Sequence, residues 1–187
     1  MALLSLGPIR GTANRLRFAV LLAGLLTASA SGQPVNEYQM KAAYVYNLAK
    51  FVEWPAGAFK NATDPIAICV LGQSPIQNLL EEAVRGETID DRKLTVLHLS
   101  NIQQAGACRI LFIAPPERKQ LRSLLRDLQT PAVLTVGEMD GFLEEGGAVN
   151  FCLEGNRVRF DINLSAAGQQ KLRISPKLLS LARIVKK

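Results

Sequence analysis

The sequence predicts an α/β fold, namely one three-layer domain with a largely parallel sheet and helices on both faces. Strand and helix patterns alternate along most of the chain, which is typical of parallel sheets. Several strands are continuous apolar runs, as expected for strands buried on both faces. A β-hairpin followed by helices closes the chain. With 187 residues, of which 48% are hydrophobic and 20% charged, the chain can build one such core and is not a disordered tail.

The first half of the predicted domain alternates helices and strands. Asn36 can cap the first helix, whose apolar residues recur at helical spacing until Pro55 ends it. Ser74 and Pro75 form an N-cap and first-turn pair that predicts the start of a second helix. The predicted elements are a helix over 36–53, a strand over 66–71, a helix over 74–84 and a strand over 93–99.

The second half continues the alternation and then changes to an antiparallel pair. Leu121 and Leu124 belong to the apolar face of an amphipathic segment. Gly155 and Asn156 between two apolar-patterned runs indicate a two-residue hairpin turn. The predicted elements are a strand over 109–114, a helix over 117–128, a strand over 132–136, hairpin strands over 148–154 and 157–163, and helices over 165–172 and 175–185.

The first thirty residues have the pattern of an export signal. Three arginines precede an apolar run of about 11 residues, and Ala28-Ser29-Ala30 is a small-x-small cleavage site. The apolar run is shorter than the roughly 20 residues of a membrane span. We therefore predict a signal peptide over 1–30 and a periplasmic domain over 31–187 without a membrane span.

The net charge of +6 is a property that nucleic-acid binders share. Half of this charge lies in the predicted signal peptide, at Arg10, Arg15 and Arg17. The other basic residues are scattered among acidic ones. The sequence therefore predicts no nucleic-acid partner.

The predicted domain contains three cysteines, which in an oxidising compartment allow one intrachain disulfide and leave one thiol. Cys69 and Cys108 lie in two predicted strands, and their sulfurs can meet if those strands are neighbours. We predict this bridge, with Cys152 as the free thiol. The alternative is that all three cysteines are small buried hydrophobic residues.

No catalytic or metal-binding motif is present in the sequence. It has a single histidine, His98, and lacks the HExxH, GxGxxG, P-loop and GxSxG patterns. The predicted protein is therefore not an enzyme and holds no metal or cofactor.

One loop is a candidate ligand site. Gly72 and Ser74 follow the first predicted strand and precede a helix, and anions bind at such positions in open α/β sheets. The loop would make the protein a periplasmic small-ligand sensor, although we favour the alternative that it is an ordinary strand-to-helix turn. Trp54, Phe59 and Phe142 are either exposed anchors for a partner or part of the core.

Five segments resemble the YfiR family. The first and last are distinctive, and the resemblance extends along nearly the whole predicted domain. They are Lys41–Pro55 (KAAYVYNLAKFVEWP), Ile68–Gly72 (ICVLG), Leu134–Gly137 (LTVG) followed by Gly141-Phe142, Arg157–Asn163 (RVRFDIN) and Ile174–Leu179 (ISPKLL).

The resemblance implies a non-catalytic periplasmic repressor, often a homodimer. Such a protein binds the periplasmic domain of an inner-membrane diguanylate cyclase, lowers cyclic-di-GMP and limits biofilm formation, until redox or envelope stress releases it. On this resemblance we expect the partner surface near Trp54, Pro55, Asp161, Asn163 and Lys177.

Two features of the sequence depart from the family pattern. Cys69 and Cys108 fall where the family has a bridge between strands, whereas Cys152 lacks the partner of a second bridge. Asp161 and Pro176 replace a common Glu and a common Ser.

Overall fold

The structure is a computed structural model that describes residues 37–128 and 130–185, excluding the side chains of 184 and 185. The predicted signal peptide over 1–30 and the predicted cap Asn36 lie outside the described residues. The helices are α1 (Glu37–Phe51), α2 (Ile76–Val84), α3 (Leu121–Asp127), α4 (Leu164–Gln169) and α5 (Pro176–Leu179), with 3-10 helices at Ile102–Ala107 and Pro115–Gln120.

The strands form one large sheet and one small one. They are β1 (Val52–Glu53), β2 (Ile66–Leu71), β3 (Thr88–Ile89), β4 (Arg92–Leu99), β5 (Cys108–Ile113), β6 (Leu134–Gly137), β7 (Val149–Glu154), β8 (Arg157–Asn163), β9 (Arg173–Ile174) and β10 (Arg183–Val185). The large sheet has the order β10-β8-β7-β6-β5-β2-β4-β3, and β1 pairs with β9 separately. Neighbours in the large sheet are parallel except β7 with β8 and β3 with β4, which confirms the predicted fold class.

The core consists of two hydrophobic clusters, because successive side chains of a strand point to opposite faces. Ile68 and Val70 of β2 belong to the cluster that α1 and α2 cover. Cys69 and Leu71 belong to the other cluster, with residues of α3 and the 3-10 helix at 102–107. All six residues of β2 are buried, as predicted for a strand between two layers.

The C-terminal segment differs from its prediction. The helix expected over 175–185 ends at Leu179, and Arg183–Val185 form a parallel strand beside Asp161–Asn163 of β8. The first helix ends at Phe51, because Val52 and Glu53 pair with β9. These short strands depend on partners that are distant in sequence.

Phe142 lies in the core, which excludes it as an exposed anchor. Its ring lies against Gly137 and Gly147, and a Cβ at either glycine would overlap the ring. Gly147→Ala should therefore destabilise the protein by about 1–3 kcal/mol, since overpacking a filled core forces displacement. Urea unfolding checks this, with Gly106→Ala as control because a Cβ there meets open space. Equal losses from both variants would contradict the expectation.

Candidate functional site

The small sheet brings two of the predicted partner-binding regions together. Its register pairs Val52 with Ile174, and the Ser175 N–H donates to the Phe51 carbonyl at 3.0 Å. Lys177, just after β9, places its ammonium 5.1 Å from the centre of the Phe51 ring. Trp54 directly follows β1. The first and last motifs of the sequence therefore meet at this sheet.

Next to the small sheet lies an aromatic–arginine cluster, which comprises Trp54, Phe59, Arg92 and Arg109. The Trp54 and Phe59 rings meet edge to face with centroids 6.3 Å apart. The guanidinium carbons of Arg92 and Arg109 lie 3.9 and 5.0 Å from the Phe59 ring centre. Such cation–π contacts hold two positive charges beside an apolar surface.

Backbone hydrogen bonds fix both arginines. Arg92 Nη1 donates to the carbonyls of Asn61 and Asp64, each at 2.9 Å. Arg109 donates to the carbonyl of Cys108 at 2.7 Å and to that of Ala58. The intervening turn is closed by the Asp64 carboxylate, and hydrogen bonds from Asn61 hold the pKa of Asp64 below its ordinary value. The cluster is thus preorganised.

Two donors of the cluster have no acceptor within the described part of the chain. They are Trp54 Nε1 and Arg109 Nε, and both atoms are buried. Burial also lowers the pKa of the Arg109 guanidinium. A buried donor without an acceptor costs about 1–3 kcal/mol. An acceptor group from a bound partner would recover that free energy.

A groove of about 530 Å³ adjoins the cluster at the amino-terminal ends of β2 and β5. Leu97 of β4 lines it and has 39% of its surface exposed. The lining residues are Phe59, Lys60, Asp64, Pro65, Ala67, Thr95, Leu97, Gly106, Ala107 and Arg109. The groove combines apolar surface with a half-buried arginine, and arginine is enriched at protein interfaces.

The disulfide predicted between Cys69 and Cys108 is present, with the Cα atoms 5.8 Å apart. Cys108 stands between Ala107 and Arg109, which both line the groove. The bridge therefore ties one wall of the groove to β2.

Two other expected partner residues lie on β8. The Asp161 carboxylate accepts two hydrogen bonds from Arg183, at 2.6 and 3.1 Å. Asn163 is buried, where its Oδ1 accepts from the Ala166 N–H and its Nδ2 donates to the Leu143 carbonyl. Asn163 thus caps α4 and holds the loop before β7, so its side chain is fully used within the fold.

The candidate ligand loop lies at the opposite end of β2, and Gly72 is roughly 17 Å from Ala67 of the groove, given five strand rises of about 3.3 Å. Gly72 has a φ of +84°, and a Cβ there would come within 2.9 Å of Glu117 Oε1. Ser74 Oγ accepts a hydrogen bond from the Ile76 N–H at 3.4 Å. The Glu117 carboxylate places negative charge at the loop, which disfavours an anion.

The remaining candidates are a thiol and a histidine. Cys152 is a half-buried free thiol, 3.6 Å from Arg183 Nη2. His98 is exposed and contacts Glu81 at 2.9 Å. Among the described residues, no group of acidic, histidine or cysteine side chains could hold a metal ion. No helix in this part of the chain is long and apolar enough to cross a membrane.

Sequence reasoning missed Arg92 and Arg109. The available signal was Arg109 itself, the one charge in the apolar run Cys108–Ile113. A charge in such a strand needs a partner, because burying an unpaired charge is costly.

The fold defines a small α/β protein, and comparisons give its family. The family model for YfiR/HmsC-like proteins matches residues 38–183, so the chain belongs to that family. A conserved domain protein from Vibrio cholerae O1 biovar El Tor shares the fold, with a TM-score of 0.53 and 12% identity over 80% of this chain. This chain spans 60% of the length of that structure.

A more distant match is the ABC domain in complex with L-Trp from Streptococcus pneumoniae. It has a TM-score of 0.43 and 9% identity, and the match covers 64% of this chain and 55% of that one.

Proposed function

We propose that this protein is a non-catalytic periplasmic repressor that binds the periplasmic domain of an inner-membrane diguanylate cyclase. Membership of the YfiR/HmsC-like family supports a periplasmic regulator of diguanylate cyclase. The signal-peptide pattern and the Cys69–Cys108 bridge fit an oxidising compartment. When the repressor is bound to its periplasmic domain, the cyclase synthesises less cyclic-di-GMP on the cytoplasmic side of the membrane. We expect the repressor to act as a homodimer.

The observation that carries the proposal is the groove beside the aromatic–arginine cluster. Phe59 and Arg109 of the cluster line the groove, and Trp54 packs against Phe59. Arg109 Nε is a buried donor without an acceptor in the described part of the chain. A partner segment with an apolar side chain and a carbonyl or carboxylate acceptor would complement this surface. Reduction of the Cys69–Cys108 bridge would free the start of β5 and weaken binding, which offers a route for release under stress.

Deleting the gene should raise cellular cyclic-di-GMP when the partner cyclase is present. The nucleotide is quantified in extracts of the deletion strain, the parent and a strain that also lacks the cyclase. The increase should vanish in the double deletion, because the repressor acts only through the cyclase. An unchanged level in the single deletion, with the cyclase intact and expressed, would overturn the proposal.

Leu97→Asp should weaken binding to the cyclase's periplasmic domain by about tenfold or more, since it places a charge on the apolar part of the groove. Leu181→Asp is the matched control, because Leu181 is 57% exposed and does not line the groove. Isothermal titration measures both affinities, and circular dichroism checks folding. If both variants bind like the wild type, the groove is not the partner surface.

A further inference from the structure

A buried charge cluster lies at the carboxyl end of β6, away from the groove. Lys41 of α1 donates hydrogen bonds to the carboxylates of Glu37 and Glu138. The side chains of Lys41 and Glu138 are only 6% and 4% exposed. The Lys41 ammonium therefore pairs with both carboxylates, and the group of three side chains carries one excess negative charge.

One oxygen of this cluster is left without a hydrogen bond. Glu138 Oε2 accepts from Lys41, and Glu138 Oε1 is buried without a donor at ordinary hydrogen-bond geometry in the described part of the chain. The Tyr38 hydroxyl lies near the same carboxylate, and burial together with Glu138 raises the pKa of Tyr38. Burial alone would lower the pKa of Lys41, yet its hydrogen bonds to Glu138 and Glu37 raise it above the ordinary value. Lys41 thus stays protonated at neutral pH. Its ammonium also lies 4.7 Å from the Tyr38 ring centre.

The cluster opens into a cleft of about 310 Å³. β7 pairs with β6 only through Val149 and Asn150, so Phe151–Glu154 run on past the end of β6 and form one side. The lining residues are Glu37, Lys41, Glu138, Met139, Asp140, Asn150, Phe151, Cys152 and Leu153. Asn150 Oδ1 already accepts from the Met139 N–H at 3.0 Å. The cleft thus holds an unsatisfied buried acceptor beside an open strand edge.

The other charges around the cleft are paired. Asp140 at the rim faces Arg118 at 3.9 Å. Arg183, next to Cys152, is held by Asp161 at 2.6 Å and lies 4.0 Å from Glu154. The uncompensated charge is therefore that of the Glu37–Lys41–Glu138 group. A ligand with positive charge and N–H donors would neutralise it and satisfy Glu138 Oε1.

We propose that this cleft binds a cationic nitrogen group, an ammonium or a guanidinium, that donates to Glu138 Oε1. Nothing in this proposal requires the repressor role. The group can come from a free small amine or from a basic side chain of a protein partner. Either source fits the volume and the charge.

The test titrates the purified protein with agmatine, which carries both groups, and with the uncharged 1,4-butanediol. We expect agmatine to bind and the diol not to bind. Glu138→Gln keeps the size of the side chain and should lower the affinity for agmatine by about tenfold or more. Glu81→Gln, on an exposed carboxylate of α2, should leave the affinity unchanged. Equal binding of the diol, or unchanged binding to the Glu138→Gln protein, would overturn the proposal.

A second measurement needs no variant. Cys152 lines the cleft, so bound agmatine should slow its alkylation by iodoacetamide in the wild-type protein. A capped Leu-Arg-Leu peptide distinguishes the sources: tighter binding than agmatine indicates a partner side chain, and weaker binding indicates a free amine. If neither probe binds nor protects Cys152, the cleft is not a cation site.

Discussion

Replacing both Cys69 and Cys108 with alanine should lower the free energy of unfolding by about 4 kcal/mol. The bridge closes a segment of 39 residues, and the expected loss is the entropy that the unfolded chain regains when the loop opens. Urea unfolding followed by circular dichroism gives the value. Both sulfurs are fully buried, so the small volume change adds to the loss.

The control for this prediction is Cys152→Ala, which removes the free thiol and should change the unfolding free energy by well under 1 kcal/mol. Dithiothreitol should lower the unfolding free energy of the wild type to that of the double variant. It should leave the unfolding free energy of the double variant unchanged. A double variant as stable as the wild type would show that the bridge contributes nothing.

Lys41→Met should destabilise the protein by about 3–5 kcal/mol, because it leaves the buried Glu138 carboxylate without its cation. Methionine approximates the length of the lysine stem, so packing is largely kept. Thermal and urea unfolding at pH 7 measure the loss. Lys41 belongs to the proposed cation site, but this measurement concerns only the free energy of unfolding and not ligand binding.

Lys50→Met, on the exposed side of the same helix, is the matched control and should cost less than about 1 kcal/mol. The double variant Lys41→Met/Glu138→Gln should recover much of the loss, since both buried charges are then removed. If the double variant is less stable than Lys41→Met alone, packing rather than charge governs the site.

Elements whose pattern is local could be predicted from the sequence. The apolar run Ile66–Leu71 and the Gly155-Asn156 turn lead directly to β2 and to the β7–β8 hairpin. The strands at 52–53, 173–174 and 183–185 could not, because two or three residues carry no periodicity and gain their hydrogen bonds only from distant partners. The same reason explains the wrong helix beyond Leu179.

The sites were predictable only in part. Trp54 and Lys177 were named from sequence, and the structure places Trp54 directly after β1 and Lys177 in α5, three residues after β9. Phe59 and Arg109 meet only after folding, since no sequence spacing relates them. Lys41 looks like an ordinary helix lysine in the sequence. Its burial becomes evident only when Glu138, which follows a strand far along the chain, is placed beside it.

The pairing of β1 with β9 also bears on when the protein becomes functional during folding. Contacts between residues so far apart in sequence form late, because the chain loses the entropy of closing a long loop before these contacts can stabilise it. Val52 has no strand partner until Ile174 and its neighbours have arrived. The surface around Trp54 is therefore completed near the end of folding, and nascent or truncated chains that lack residues 173–177 display it only in unfinished form.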